Sequence, residues 1–169
     1  MRAQKKLTVQ IILAITLAAL SLAPSCSTPG TVIKLEPASS QVQVNDTVKV
    51  LIQVENISDF TAVELHLSFD PAVLEVTELA HGNFLTHDFI VQNNFDNSAG
   101  TIDYAIAQID QPPASGSGTL LAITFRAKAP GDAAIRFRGT PAAPAGALLA
   151  NSTGTAIAVS LVNGSLTIE

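Results

Sequence analysis

The side chains with the chemistry for catalysis or metal binding are three histidines, 14 acidic residues, one cysteine and many serines. His66, His81 and His87 show none of the spacings that place two metal ligands on one strand face or one helical turn. The acidic residues near turns fall outside any loop with EF-hand spacing, so capping and turn roles are expected for them. The sequence therefore predicts no metal site of its own.

The sequence shows no recognisable arrangement of residues for covalent or acid–base catalysis either. The sequence lacks a Gly-x-Ser-x-Gly segment at a strand-to-helix turn, and Gly116-Ser117-Gly118 is typical of a loop or a strand end. A glycosidase needs two carboxylates across a cleft, an arrangement that scattered acidic residues do not reveal. We expect a protein that is not an enzyme.

Charge and cysteine content exclude two further classes. With 9 Lys and Arg against 14 Asp and Glu, the net charge of -5 argues against a nucleic-acid-binding protein, which must neutralise phosphates. A single cysteine excludes a disulfide scaffold and a multi-cysteine metal site.

The first 25 residues have the pattern of an export signal. Three basic residues precede an apolar segment, residues 11–22, which is shorter than the roughly 20 residues of a membrane span. The small-residue segment Ala23-Pro24-Ser25 follows it, directly before Cys26. We therefore predict a signal peptide over residues 1–25 and a bacterial protein exported from the cytoplasm.

Cys26 resembles the lipid-accepting cysteine of a bacterial lipoprotein. Leu22 lies four residues before it, where the usual motif has three, so plain secretion with cleavage near Ala23 and a free thiol stays open. Loss of residues 1–25 removes three basic residues and leaves a charge of -8. Membrane contact is then expected through the anchor and a short linker, residues 26–31, rather than through the acidic domain.

From residue 32 onward, apolar and polar residues alternate with the period of two that is typical of half-buried strands. The nine predicted strands cover residues 32–36, 47–54, 61–69, 74–79, 89–94, 101–107, 119–128, 133–138 and 156–168. An alanine-rich segment, residues 142–150, allows at most a turn of helix between its prolines. Many short strands predict an all-β, nine-stranded antiparallel β-sandwich over residues 32–169.

The alternation also predicts which side chains face the core. Inward rows are expected at Val63, Leu65, Leu67 and Phe69, at Ile102, Tyr104 and Ile106, at Leu121, Ile123, Phe125 and Ala127, and at Ile135 and Phe137. Outward rows are expected at Ala62, Glu64, His66 and Ser68, at Asp103, Ala105 and Ala107, and at Arg136 and Arg138.

Four segments, in this order along the chain, resemble segments of cohesin domains. They are residues 42–54 with Asn45-Asp46-Thr47, the run Phe69-Asp70-Pro71-Ala72-Val73-Leu74-Glu75-Val76 followed by Gly82 and Phe84, Gly118-Thr119-Leu120-Leu121-Ala122-Ile123-Thr124-Phe125, and Ala129-Pro130-Gly131. The likeness extends over nearly all of residues 32–168.

This resemblance implies a jelly-roll sandwich that binds a calcium-loaded dockerin on a secreted partner, such as a polysaccharide-degrading enzyme. The calcium would arrive with the partner, and the chain itself would need no cofactor. In cohesins the third, fifth, sixth and eighth strands present the binding face. The corresponding residues are Ala62, Glu64, His66, Ser68, Asp103, Ala105, Ala107, Gln108, Arg136 and Arg138. Cohesins often have asparagine and aspartate where this chain has Ala62 and Glu64.

Two other functions stay open at this point. Direct polysaccharide binding is the main alternative because sugar-binding modules share the sandwich fold, although their usual exposed Trp and Tyr platforms are missing. The chain has no Trp, and its single Tyr104 is predicted to face inward. A purely structural or self-associating domain of a surface lipoprotein is the third possibility.

Overall fold

The computed structural model describes residues 29–86 and 88–169, so the predicted signal peptide, Cys26 and His87 lie outside the described residues. The described strands are β1 (Val32–Glu36), β2 (Ser39–Val42), β3 (Thr47–Ser68), β4 (Leu74–His81), β5 (Asp88–Asp96), β6 (Thr101–Gln108), β7 (Ala114–Ala127), β8 (Gly131–Phe137), β9 (Ala147–Asn151), β10 (Ser160–Val162) and β11 (Gly164–Ile168). In this part of the chain no helix is both long enough and apolar enough to cross a membrane.

The strands form the two layers of a jelly-roll β-sandwich. One layer has the order β4-β7-β3-β1-β10 and uses the first half of β3. The other layer has the order β5-β6-β3-β9 and uses the second half of β3. β8 pairs with β11 and touches the end of β3 through two residue pairs. The prediction of an all-β sandwich is confirmed.

The long strand β3 joins the two layers. Sequence periodicity predicts two strands here, but the chain continues through residues 55–60 with register shifts against β7. Asn56 and Asp59 adopt positive φ angles of 55° and 53° within this stretch. Such bulges bend a strand without ending it, and they turn the second half of β3 into the other layer.

Two strands were missed by the sequence analysis. Residues 147–151 form β9 rather than a turn of helix, because the second half of β3 offers them an antiparallel partner from Phe60 to Leu65. β2 is a short strand of four residues without a run of alternating apolar residues. The predicted strand over residues 156–168 begins later, and its regular part is β10 and β11.

The two ends of the domain pair with each other in parallel. Val32 lies opposite Ser160 in the β1–β10 pair, and Ser39 lies opposite Ser165 in the β2–β11 pair. The expectation of an antiparallel sandwich is therefore wrong for the β1–β10 and β2–β11 pairs, which we call the parallel seam. The seam continues to the last residue, because the Glu169 N–H donates to the Val42 carbonyl at 3.0 Å.

The core lies between the layers and contains the predicted inward rows. Leu65, Ile102 and Phe125 are fully buried, and the rings of Phe69 and Phe125 meet edge to face at 5.5 Å. Tyr104 is also fully buried, and its hydroxyl donates to the Leu120 carbonyl at 3.3 Å. A buried Tyr requires such a partner.

Gly82 is a position where the fold has no room for a side chain. Its N–H donates to the Leu120 carbonyl at 3.0 Å, and a Cβ atom there would lie 2.0 Å from the Thr119 carbonyl oxygen. The Thr119 carbonyl belongs to the backbone and cannot rotate away from an added Cβ atom as a side chain could. We therefore expect Gly82→Ala to lower the free energy of unfolding by about 1–3 kcal/mol in a urea titration. Gly30→Ala is the control, since nothing lies within 4 Å of its Cβ position. Equal stability of the two variants would contradict the packing argument.

Candidate binding face

The outward side chains of β3, β6 and β9 form one surface, which we call the β3–β6 face. Ala62 lies opposite Ala107, Glu64 opposite Ala105, and His66 opposite Asp103. β9 continues the surface on the other side of β3, where Leu148 lies opposite Glu64 and Ala150 opposite Ala62. The register thus brings the predicted residues of the two separate segments together.

A shallow apolar groove of about 230 Å³ lies on this face. Its lining residues are Ala62, Val63, Glu64, Val91, Ala105, Ile106, Ala107, Leu148 and Ala150. Alanines at four of these positions keep the floor low, while Val91 and Leu148 stand higher, 64% and 40% exposed. The groove has the size and chemistry to receive an apolar side chain of a partner.

A charged cluster lies beside the groove. His66 Nδ1 is 2.5 Å from Asp103 Oδ1, and His66 Nε2 is 2.6 Å from Glu64 Oε1. The Arg138 Nη2 group, one residue beyond β8, donates to the same Asp103 oxygen at 2.7 Å. Two acidic and two basic side chains therefore form one connected network, which we call the Glu64–Arg138 network.

His66 is buried within this network. The alternation predicts that His66 faces outward, and it lies on the outward side of β3, yet it is only 7% exposed. The paired side chains of Glu64 and Asp103 flank its ring. Its position in the strand ladder is also fixed, because its N–H donates to the Gly146 carbonyl and its carbonyl accepts from the Arg138 N–H, each at 2.8 Å.

The remaining predicted residues lie at the margins of the face. Gln108 connects the loops that contain Thr86 and Pro112. Its side-chain amide oxygen accepts from the Thr86 N–H at 3.0 Å, and its side-chain amide nitrogen donates to the Pro112 carbonyl at 2.5 Å. Ser68 is half-buried and lies opposite Arg136, which is exposed at the end of β8. The roles of all ten residues in binding stay predictions.

Sequence reasoning missed Val91, Leu148 and Ala150. Residues 147–150 are apolar throughout and show no alternation of apolar and polar residues, so the exposure of Leu148 between buried Ala147 and Leu149 becomes visible only once β9 pairs with β3. Val91 lies at a register shift between Ile90 and Gln92, which turns it toward the groove. A bulge of this kind has no dependable sequence signature.

A second depression, of about 220 Å³, lies on the opposite layer. It is lined by Lys34, Glu36, Gln53, Val54, Glu55 and Ser117. Hydrogen bonds and charge from Glu55 and Glu36, at 3.0 and 3.1 Å, raise the pKa of the Lys34 ammonium group. This depression has no aromatic side chain among its lining residues, so it offers no platform for a sugar ring.

The chain is thus a jelly-roll β-sandwich module with a shallow apolar groove on one layer. A family model described as "Cohesin domain" matches residues 33–168. The chain belongs to the cohesin domain family.

A curated relative and several solved structures agree with this family. The chain is 28% identical over 138 residues to Cell surface glycoprotein 1 of Acetivibrio thermocellus, and the match covers 69% of this chain but 6% of that protein. A non-cellulosomal cohesin from the archaeon Archaeoglobus fulgidus superposes with a TM-score of 0.67, at 21% identity over 83% of this chain and 92% of that chain. The cohesin–dockerin complex structure named Coh-OlpA-Doc918, from Clostridium thermocellum, gives a TM-score of 0.67 at 15% identity over 83% of this chain and 100% of that chain.

Proposed function

We propose that this chain is a non-catalytic docking module that binds a calcium-loaded dockerin on a secreted partner protein. The observation that carries the proposal is the apolar groove on the β3–β6 face, directly beside the Glu64–Arg138 network. An apolar centre with a charged surround is the usual anatomy of a specific protein interface. The family of the chain and a cohesin–dockerin complex among its structural neighbours support the same partner class.

Charge is distributed in a way that suits this function. The ten predicted binding residues carry two acidic and two basic side chains, so the charge of -8 expected for residues 26–169 comes entirely from the rest of the chain. A neutral face within an acidic molecule favours apolar contact at the centre. The acidic surroundings favour a partner with basic side chains at the rim and help to steer its approach.

The site of action in the proposal is the bacterial cell surface. Residues 1–25 would direct export, and Cys26 would carry the lipid that holds the module on a short linker. The relative from Acetivibrio thermocellus is named as a cell surface glycoprotein, which supports an extracellular location.

Capture on calcium-loaded dockerins tests the proposal. The exported chain, residues 26–169, is immobilised under reducing conditions and exposed to purified type I and type II dockerins and to the secreted proteins of the source organism, with calcium or with chelator. We expect calcium-dependent retention of proteins that carry paired Asp-rich calcium loops. Retention of no dockerin, or of material that free sugar releases, would overturn docking and favour a structural or polysaccharide-binding role.

A further inference from the structure

The ring of His66 contacts a carboxylate through each of its two nitrogens. Both ring nitrogens face carboxylate oxygens, Asp103 Oδ1 at 2.5 Å and Glu64 Oε1 at 2.6 Å. An ionised carboxylate accepts hydrogen bonds and cannot donate them. Both contacts are therefore hydrogen bonds only when the imidazole carries a proton on each nitrogen, which is its cationic form.

The same ring contacts a residue of the groove wall. Glu64 accepts from His66 Nε2 and also lines the groove, where it lies between Ala105 of β6 and Leu148 of β9. With His66 cationic, the Glu64–Arg138 network has zero net charge. When the ring loses one proton, the network carries one negative charge, and a ring nitrogen lone pair faces a carboxylate at hydrogen-bond distance.

We propose that His66 is a positioning residue of the β3–β6 face, and that partner binding weakens as its ring loses a proton with rising pH. The proposal rests on the docking function above. The cationic ring holds Glu64 against the strand and leaves the groove open to an apolar side chain. The neutral ring releases an unpaired carboxylate at the groove wall, where an apolar partner would have to desolvate it.

The charged side chains around His66 come from three segments of the chain. Glu64 comes from β3 and Asp103 from β6, and Arg138 and Arg136 come from β8 and the residue after it. β5 presents Asn94 opposite Asp103, and β9 presents Leu148 opposite Glu64; both are uncharged side chains. Arg138 is bound to Asp103, so it compensates that carboxylate but not Glu64.

The strand itself does not depend on the ring. The backbone N–H and carbonyl of His66 are both used in hydrogen bonds to Gly146 and Arg138. A variant that changes only the ring should therefore keep the register of β3. The matched control is His81→Gln, because His81 lies on β4 outside the face and its Nδ1 contacts the Tyr104 hydroxyl at 3.0 Å.

The test compares wild type, His66→Gln and His81→Gln in two measurements. Isothermal titration calorimetry with a captured dockerin, in saturating calcium between pH 6 and pH 8.5, gives the affinity. We expect wild type and His81→Gln to lose about tenfold over this range, which crosses the region where histidines change charge. Because glutamine carries no charge at any pH, His66→Gln should stay constant within about twofold.

The second measurement needs no partner. Nitrogen NMR of the histidine rings, combined with carbon NMR of the glutamate carboxyl groups in labelled protein, should show both His66 nitrogens protonated at pH 6 and a change in the Glu64 carboxyl signal when one proton is lost. A ring with a single proton at pH 6, or a pH dependence of affinity that persists in His66→Gln, would overturn the proposal. Absence of dockerin binding by every variant at every pH would overturn the docking function instead, while the NMR result still decides whether His66 holds Glu64.

Discussion

Replacing Ala105 with arginine abolishes capture of the partner without unfolding the domain; this is the expected result with the largest effect on binding. Ala105 lies on β6 between Glu64 of β3 and Gln92 of β5, and it lines the apolar groove. An arginine there fills the groove and places a cation where an apolar side chain would dock. Because central positions dominate interface energies, we expect the affinity for dockerin to fall by about a hundredfold or more.

Thr124→Arg is the control for this substitution. Thr124 is also half-buried on a sandwich strand, but it lies on β7 in the opposite layer, where its partners are Lys49 and Glu78. Its substitution should leave the affinity within about twofold of wild type. Calorimetry gives the affinities, and circular dichroism shows that both variants are folded. Undiminished binding by folded Ala105→Arg would place the interface elsewhere on the chain.

The second prediction with a large effect compares the truncation of two leucines, one of which should affect stability and the other binding. Leu65 is fully buried in β3, whereas Leu148 of β9 is 40% exposed at the groove. Truncation of a buried leucine leaves a cavity in addition to the lost apolar contact, so Leu65→Ala should lower the free energy of unfolding by about 3 kcal/mol. Leu148→Ala leaves no enclosed cavity and should cost about 1 kcal/mol or less.

The two substitutions are expected to affect dockerin binding in the reverse order, with the larger loss in Leu148→Ala. Loss of the raised groove wall in Leu148→Ala should weaken dockerin binding by about tenfold, while Leu65→Ala should bind normally at a temperature where it stays folded. Urea titrations and calorimetry on the same preparations give both quantities. If Leu148→Ala bound as tightly as wild type, the groove would not be the contact surface, and if Leu65→Ala were as stable as wild type, the core assignment would be wrong.

The layers of this domain could be predicted from sequence because single strands show their sidedness locally. Leu65 and Tyr104 are buried as the period-two pattern predicts, and their neighbours Glu64 and Ala105 face outward. This information comes from a few consecutive residues. It requires no knowledge of which strands pair.

The groove and the Glu64–Arg138 network could not be predicted in the same way, since both depend on register between distant segments. His66 meets Asp103 only because β3 and β6 pair in one particular alignment, and Arg138 reaches the same carboxylate from a third segment. Val91 turns toward the groove at a register shift in β5. Each of these contacts is fixed by tertiary pairing, which local patterns do not contain.

The departure from the usual cohesin residues gains a physical explanation in the structure. Ala62 lies at the low floor of the groove, where a larger polar side chain would fill it. Glu64 Oε1 lies 2.6 Å from His66 Nε2, so this carboxylate already has a contact within the domain. Recognition by this chain is therefore expected to rely more on apolar fit than on charged side chains of β3.

The parallel seam between the two ends of the domain has a mechanical consequence. Tension on the chain at residue 31 enters β1, whose residues pair with β3 on one side and with β10 on the other. A load along β1 is thus shared by two ladders and opposed by several hydrogen bonds at once. If the module is anchored at its N-terminus and loaded through the β3–β6 face, the pulling force passes through a strand that is paired along both of its edges.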